Sequence, residues 1–410
     1  MLLNKPRAYE FMDRHGLDGL VAQLSINTYY LSDYWGALNW PGFFDGTYFA
    51  VLPRREAAPA ALVIPSFEIR RLVSEGGTWV PNVFSYSSPE EGETLDDATP
   101  AGIDYDGWPL KPGVPLSPRE QGWVEITKRQ REQMSADAIW ALVRALKAAG
   151  LEGCKVGTDD ERTGPWLAGR GFTIDCQYRR DLFNQVRLVK TPREIDHLRT
   201  AAQINERALL AAGHALRVGA EWLEIENVYM AELAKQGGRG VYLLCGAAGL
   251  PHVKARRGEP IMLDALGRYR NYHGDFGRCF VIGEPSAEHL RRHRGLTRGW
   301  ARAHELLRPG TRYSDLVREV TAAIRGAGFP EYRGAVVHSL GLEHTDDPKP
   351  LAAQPGVKPD AVLEPGMVVN VDMPFTEIGW GSVHIEDTVV ITKDGCDPLT
   401  SLDLALQVVA

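Results

Sequence analysis

Apolar positions along this chain fall into short blocks, and the period of those blocks changes from one stretch to the next. Pro6 to Gly16 has helical spacing and ends at a glycine stop, and the short apolar strand Leu20 to Leu24 follows it. Strand-like runs recur at Tyr48 to Leu52 and Ala60 to Ile64. From Ser85 to about Pro118 the chain is rich in Pro, Gly, Ser and acids and keeps no period, which predicts an inserted loop or lid. A helix is expected from Ala136 to Ala149 and a strand around Lys155 to Gly157. Such alternation predicts an α/β unit over residues 1–185, a sheet with helices packed on it.

A second unit is expected over residues 186–410. Thr191-Pro192-Arg193-Glu194 is a helix start, with Thr at the cap, Pro at the first helical position and an acid in the first turn. Ile195, Leu198, Ala202, Leu209, Ala212 and Leu216 then mark one helical face, which ends at Gly219. Helices are also expected at Glu221 to Lys235 and Ser314 to Ile324. Strands are expected at Ile261 to Leu266, Phe276 to Ile282, Met367 to Met373 and Val383 to Ile391.

Composition narrows the class. The 410 residues suit two domains better than one core. A hydrophobic share of 44% and a charged share of 24% are those of a globular protein. The net charge of −7, with Lys and Arg scattered, argues against a nucleic-acid partner. No apolar run is long enough to span a bilayer, and the amino terminus lacks a signal-peptide pattern. Cys154, Cys176, Cys245, Cys279 and Cys396 are odd in number and far apart, so they read as buried free thiols in a reducing compartment, the cytoplasm.

The chemistry concentrates in the second unit. Asp264 and Asp275 stand eleven residues apart around a turn bracketed by Gly267 and Gly274, so a hairpin can bring the two carboxylates side by side. Crowded carboxylates repel unless a cation joins them; otherwise both are ordinary turn aspartates. His338 ends an apolar run, Asp372 interrupts Met-Val-Val-Asn-Val-Asp-Met, and Glu386 interrupts Val-His-Ile-Glu-Asp-Thr-Val-Val-Ile. An acid in such a run faces solvent, is paired, or holds a metal, because burying it bare is costly. Taken together, the five predict a two-metal hydrolytic site.

These residues resemble the pita-bread metallopeptidase family, in its prolidase, aminopeptidase P and creatinase branch. The resemblance lies in Asp264-x10-Asp275 with Tyr269, Tyr272 and Arg278, in Leu363 to Val369, in Val383 to Asp387, in Arg187 to Ile195, and in Asn27-Thr28-Tyr29-Tyr30-Leu31. It implies a two-domain α/β fold, with a creatinase-like amino-terminal α/β domain and a carboxy-terminal pita-bread α+β catalytic domain. It implies that Asp264, Asp275, His338, Asp372 and Glu386 hold two divalent ions (Mn, Co, Zn or Fe) with a water between them. By the same resemblance His252 and His344 act catalytically, and Glu386 or its neighbour shuttles a proton to the leaving nitrogen. Arg333 and His384 would face the substrate, a small molecule or short peptide. The aromatic segment Tyr29 to Phe49, including Trp35, Trp40, Phe43 and Phe44, reads first as core; the resemblance also implies a homodimer in which part of it caps the neighbour's pocket.

Several positions depart from the family pattern. Asp372 stands where Glu is usual, Gly277 where Thr is usual, and His384 where Arg is common. His344 follows His338 by six residues rather than seven, with Thr345 in the expected place, and Gly334 replaces the histidine of proline-specific members. The stretch from His252 to Gly258 is also shorter than usual. The leading expectation is a metallohydrolase resembling Xaa-Pro dipeptidase or aminopeptidase P. The alternatives are a lyase or creatinase-like C–N hydrolase acting on a small polar molecule, and a non-catalytic binding scaffold.

Overall fold

A computed structural model of the chain describes residues 1–39, 46–87, 109–246, 252–348, 357 and 360–410. Its chain divides into two compact units, one built on Met1–Val186 and the other on Arg187–Lys349 with Ala353–Ala410.

In the first unit, six strands form a mixed sheet: β1 (Gly19–Ala22), β2 (Phe49–Pro53), β3 (Ala61–Pro65), β4 (Asn82–Tyr86), β5 (Lys155–Thr158) and β6 (Asp175–Tyr178), in the order β4-β3-β2-β1-β5-β6. The central strands are buried along their whole length, which is why they read as unbroken apolar runs. Val21, Phe49, Val51 and Val63 pack with Ala141, Leu142, Ala145 and Leu146 of the helix Ala138–Ala148. The segment expected to be a loop from Ser85 is partly regular. Ser85 and Tyr86 end β4, and Pro118–Gln133 is a helix opened by a Ser117–Glu120 cap; the stretch between lies largely outside the described residues. Within the aromatic segment, Ser25–Ser32 is a short buried helix whose entry is fixed by Asp159. That carboxylate accepts from the backbone of Gln23 and Leu24 at 2.8 and 3.1 Å and from Asn27 at 2.8 Å. Trp40, Phe43 and Phe44 lie outside the described residues.

The second unit is an eight-stranded sheet. Its main path runs β10 (Val336–Ser339), β11 (Val368–Glu377), β12 (Gly381–Ile391), β9 (Tyr272–Ile282), β8 (Ile261–Tyr269) and β7 (Arg239–Cys245). β13 (Cys396–Pro398) pairs with β12, and β14 (Gln407–Val409) pairs with β9. The turn between β8 and β9 is tighter than its glycines suggested. Pairing runs through Gly267↔Gly274 to Tyr269↔Tyr272, leaving only Arg270 and Asn271, both at positive φ, to reverse the chain. Asp264 and Asp275 therefore sit inside strands rather than at a turn.

The helix Pro192–His214 starts with a complete capping box, as the sequence predicts: Thr191 Oγ1 accepts from the Glu194 backbone, and Glu194 accepts in return. It lies against β8 and β9 so closely that a Cβ at Gly274 would stand 2.5 Å from the Ala201 carbonyl oxygen. The helix Ala287–Leu306, absent from the sequence reading, covers β11 and β12. Gly295 and Gly299 let it pack against the helix Tyr313–Gly326 and Phe329 beyond it, since a Cβ there would meet Phe329 and Ile324 at 2.6 and 2.7 Å.

The cysteines are free, as expected, but only Cys245 and Cys279 are buried; the other three are half-exposed.

Candidate metal centre

Strand pleating sorts the second unit's side chains by parity, because successive residues point to opposite faces. Ile261, Leu263, Ala265, Phe276 and Phe280 join the apolar core beneath the helices, as do Val369, Val371, Met373, Val383, Ile385 and Val389. The residues between them share the other face. Register carries Asp264 opposite Gly277, Gly277 opposite Glu386, Glu386 opposite Asp372, and Asp372 opposite Val336. Asp275, His338 and His384 each lie two positions along from a member of that row, on the same face. An acid in an apolar strand here is thus the outward partner of an alternating pattern.

The acids meet above that row. His344 Nε2 lies 2.9 Å and His338 Nε2 3.7 Å from Asp275 Oδ2. His384 Nε2 lies 2.6 Å from Asp372 Oδ1 and 3.6 Å from Glu386 Oε2. Asp275, His338 and His344 form one group of convergent donors; Asp264, His384 and Glu386 form another. Between them opens a cavity of about 240 Å³, lined by Asp264, His338, His344, Asp372 and Glu386 together with Tyr242, Thr345 and Asp347.

Surrounding groups aim the donors. His338 Nδ1–H donates to the Ser339 carbonyl at 3.1 Å, which fixes the tautomer and leaves Nε2 as a lone pair toward Asp275. Thr388 donates to the Asp275 backbone carbonyl at 3.0 Å. Arg278 holds the Glu386 carbonyl at 2.9 Å from the reverse face, where it also clasps Asp387 at 2.9 and 3.0 Å. Asp387 is thereby occupied and cannot share the proton transfer suggested for Glu386 or its neighbour.

The contrast between the two faces is informative. On the helix side the buried Asp387 has Arg278, and beyond β10 the buried Asp346 has Arg187 and Lys190. On the other face Asp264, Asp275, Asp372 and Glu386 have no Lys or Arg ion pair among the described residues, only histidines. Burial, followed by the repulsion of Asp275, Asp264 and Asp372, pushes the Glu386 carboxyl well above the usual range. Burial raises Asp264 to about 6. The hydrogen bond to Asp275 raises His344. Asp264 Oδ1, Asp275 Oδ1 and Glu386 Oε2 are buried without a hydrogen-bond partner. Unpaired buried oxygens beside imidazole nitrogens are the donor set of a divalent cation, so these residues fit the metals expected.

Two expected residues stand apart. His252 is largely exposed, with Nδ1 3.2 Å from Glu221, and Arg333 is exposed; neither lines the cavity. His384, expected to face substrate, is instead fully buried among the acids. The sequence reading missed Tyr242 and Asp347. Asp347 accepts from the Ser339 backbone at 3.0 Å and from Tyr313 at 3.2 Å, and its signal was the Asp346-Asp347 pair just beyond His344.

Residues 196–393 match the description of metallopeptidase family M24. The chain is 26% identical to the Xaa-Pro dipeptidase of Pyrococcus furiosus over 237 residues, which are 55% of this chain and 67% of that protein. It is also 26% identical to the ectoine hydrolase of Halomonas elongata over 55% of this chain and 61% of that protein. These alignments thus span about two thirds of the relatives or less. In structure it resembles the prolidase from Pyrococcus horikoshii, with a TM-score of 0.67 at 18% identity over 98% of this chain and 99% of that one. Residues 196–393 of its second unit therefore match metallopeptidase family M24, and the chain shares the fold of solved prolidases.

Proposed function

We propose that the protein is a metal-dependent hydrolase that cleaves the amide bond of a dipeptide or short peptide, in the manner of the Xaa-Pro dipeptidases it resembles. The observation that carries this reading is the single-face convergence of Asp264, Asp275, His338, Asp372 and Glu386, with buried oxygens left unpartnered. Two divalent ions held there, of Mn, Co, Zn or Fe, would lower the pKa of a water and polarise the scissile carbonyl.

The chain's own side chains supply the remainder. Glu386, which lines the cavity beside Asp264, would pass a proton to the leaving nitrogen. His344, half-exposed at the cavity with its Nε2 2.9 Å from Asp275, would join Asp275 and His338 as a donor to one ion. Thr345 and Tyr242 offer hydroxyls to the substrate's polar ends. Peptide cleavage is favoured over the lyase, creatinase-like and scaffold alternatives by the dipeptidases among the relatives. A cytoplasmic homodimer completes the proposal; no described helix is long and apolar enough to cross a membrane.

The test is hydrolysis of a panel of Xaa-Pro and other dipeptides, acyl amino acids and small onium or guanidino compounds by ion-loaded protein. Asp264→Ala and His338→Ala are expected to lower turnover of the identified substrate by at least ~100-fold. Intact activity in either variant, or no bound ion under replete conditions, overturns the proposal.

A further inference from the structure

We propose that His384 is itself a metal ligand, so that the centre consists of two imidazole-bearing triads, Asp275/His338/His344 and Asp264/His384/Glu386, with Asp372 beside the second. This rests on the metallohydrolase reading and deepens it. It concerns which atoms hold the ions and which ions they select.

The placement of the ring is the first support. His384 is fully buried, and its Nε2 stands 2.6 Å from Asp372 Oδ1 and 3.6 Å from Glu386 Oε2. Two donors bonded to one ion at about 2.1 Å, and roughly at right angles or tetrahedral to each other, lie ~3.0–3.4 Å apart. The spacing around Nε2 brackets that value. Glu386 Oε2 and Asp264 Oδ1 are both buried and unpartnered, so the other donors of this triad have no competing use.

The ring is also built in. A Cβ at position 277 would fall 2.5 Å from the His384 Cε1 and Nδ1 atoms, so the glycine vacates the volume the imidazole fills. Nδ1 faces that glycine and finds no partner, which leaves Nε2 as the ring's working edge. The backbone of His384 is fixed by Cys279, whose Sγ accepts from the His384 N–H at 2.9 Å and donates to its carbonyl at 3.0 Å. β9 and β12 pair only at Gly277↔Glu386, so the thiol replaces the missing ladder contact and sets the ring's direction.

Three departures from the family pattern thereby become one. Shortening the fourth acid to Asp372 withdraws a methylene, imidazole at 384 can bind an ion where a guanidinium cannot, and Gly277 makes room for it. The result places three imidazoles in the centre. Nitrogen-rich donor sets favour zinc, iron(II) or cobalt(II) over manganese(II).

X-ray absorption on the full chain loaded with zinc tests this, because imidazole rings are counted by their multiple scattering, with metal content measured on the same samples. The wild type is expected to show three imidazoles per pair of ions. His384→Gln is expected to lose one of them, as His338→Gln does in a parallel calibration. Two imidazoles per pair in the wild type, or an unchanged count in His384→Gln with both ions retained, overturns the assignment and makes His384 a positioning residue for Asp372. Failure of the wild type to bind zinc, manganese, cobalt or iron sinks the hydrolase reading instead, so the two failures are distinguishable.

Discussion

The ring of His384 fills the space that any side chain at position 277 would need, since a Cβ there would sit 2.5 Å from two of its atoms and 3.1 Å from the Glu386 Cβ. Gly277→Ala should therefore displace the imidazole and destabilise the protein by about 1–3 kcal/mol through overpacking. In a His384→Ala background the same substitution should cost almost nothing. Urea denaturation of the four proteins in this cycle measures the coupling, and independent, additive effects would refute the contact.

Arg278 and Asp387 form a buried, bidentate pair on the opposite side of the sheet. Arg278→Met strands a buried carboxylate and releases the carbonyl of Glu386, so a loss of about 3–5 kcal/mol is expected. Arg278→Met with Asp387→Leu should recover much of it. Equal destabilisation in the single and double variants would show that the charge is not the cause.

Chelation is the third case. With its acids unpaired by Lys or Arg among the described residues, the centre should be more stable when loaded. Ions at 100 to 1,000 times their dissociation constant would add about 3–4 kcal/mol. Differential scanning fluorimetry should show the melting temperature falling with chelator and returning with zinc or cobalt, and an unchanged melting temperature would contradict the metal assignment.

The fourth concerns Glu194, the capping-box acid, whose carboxyl burial raises from 4.5 to about 7. A carboxyl raised on folding contributes stability that is fully present below its unfolded pKa and lost as pH rises through its folded one. The wild type should therefore lose up to about 3 kcal/mol relative to Glu194→Gln between pH 4.5 and pH 8. Denaturation curves at a series of pH values measure this, and parallel stability profiles for the two proteins would count against it.

Much of the centre was legible because ligand spacing and strand alternation are written locally. Asp372 and Glu386 interrupted apolar runs, His338 ended one, Asp264 and Asp275 were marked by their spacing, and the sheet brings all five onto one face. The Ala287–Leu306 helix was not legible, because its buried face sets only Leu296 and Ala303 among His289, Arg292, His293, Gly295 and Gly299. Glycines that admit a neighbour, and an arginine stacked on Trp380 at 4.2 Å, leave no hydrophobic period to find. The surroundings of His384 were hidden for a related reason: its imidazole fills the volume that Gly277 vacates, and that glycine lies more than a hundred residues away in sequence.

The cross-strand row Asp264, Gly277, Glu386, Asp372 also carries a kinetic consequence. The hairpin bearing Asp264 and Asp275 can close early, because its contacts are local, whereas Asp372 and Glu386 arrive on strands roughly a hundred residues later and must slot in without a one-residue slip. A slip would turn every ligand under the helices. High-affinity ion capture should thus be the last event in refolding, lagging the recovery of secondary structure, and a metal-sensitive dye would serve as a clock for correct strand register.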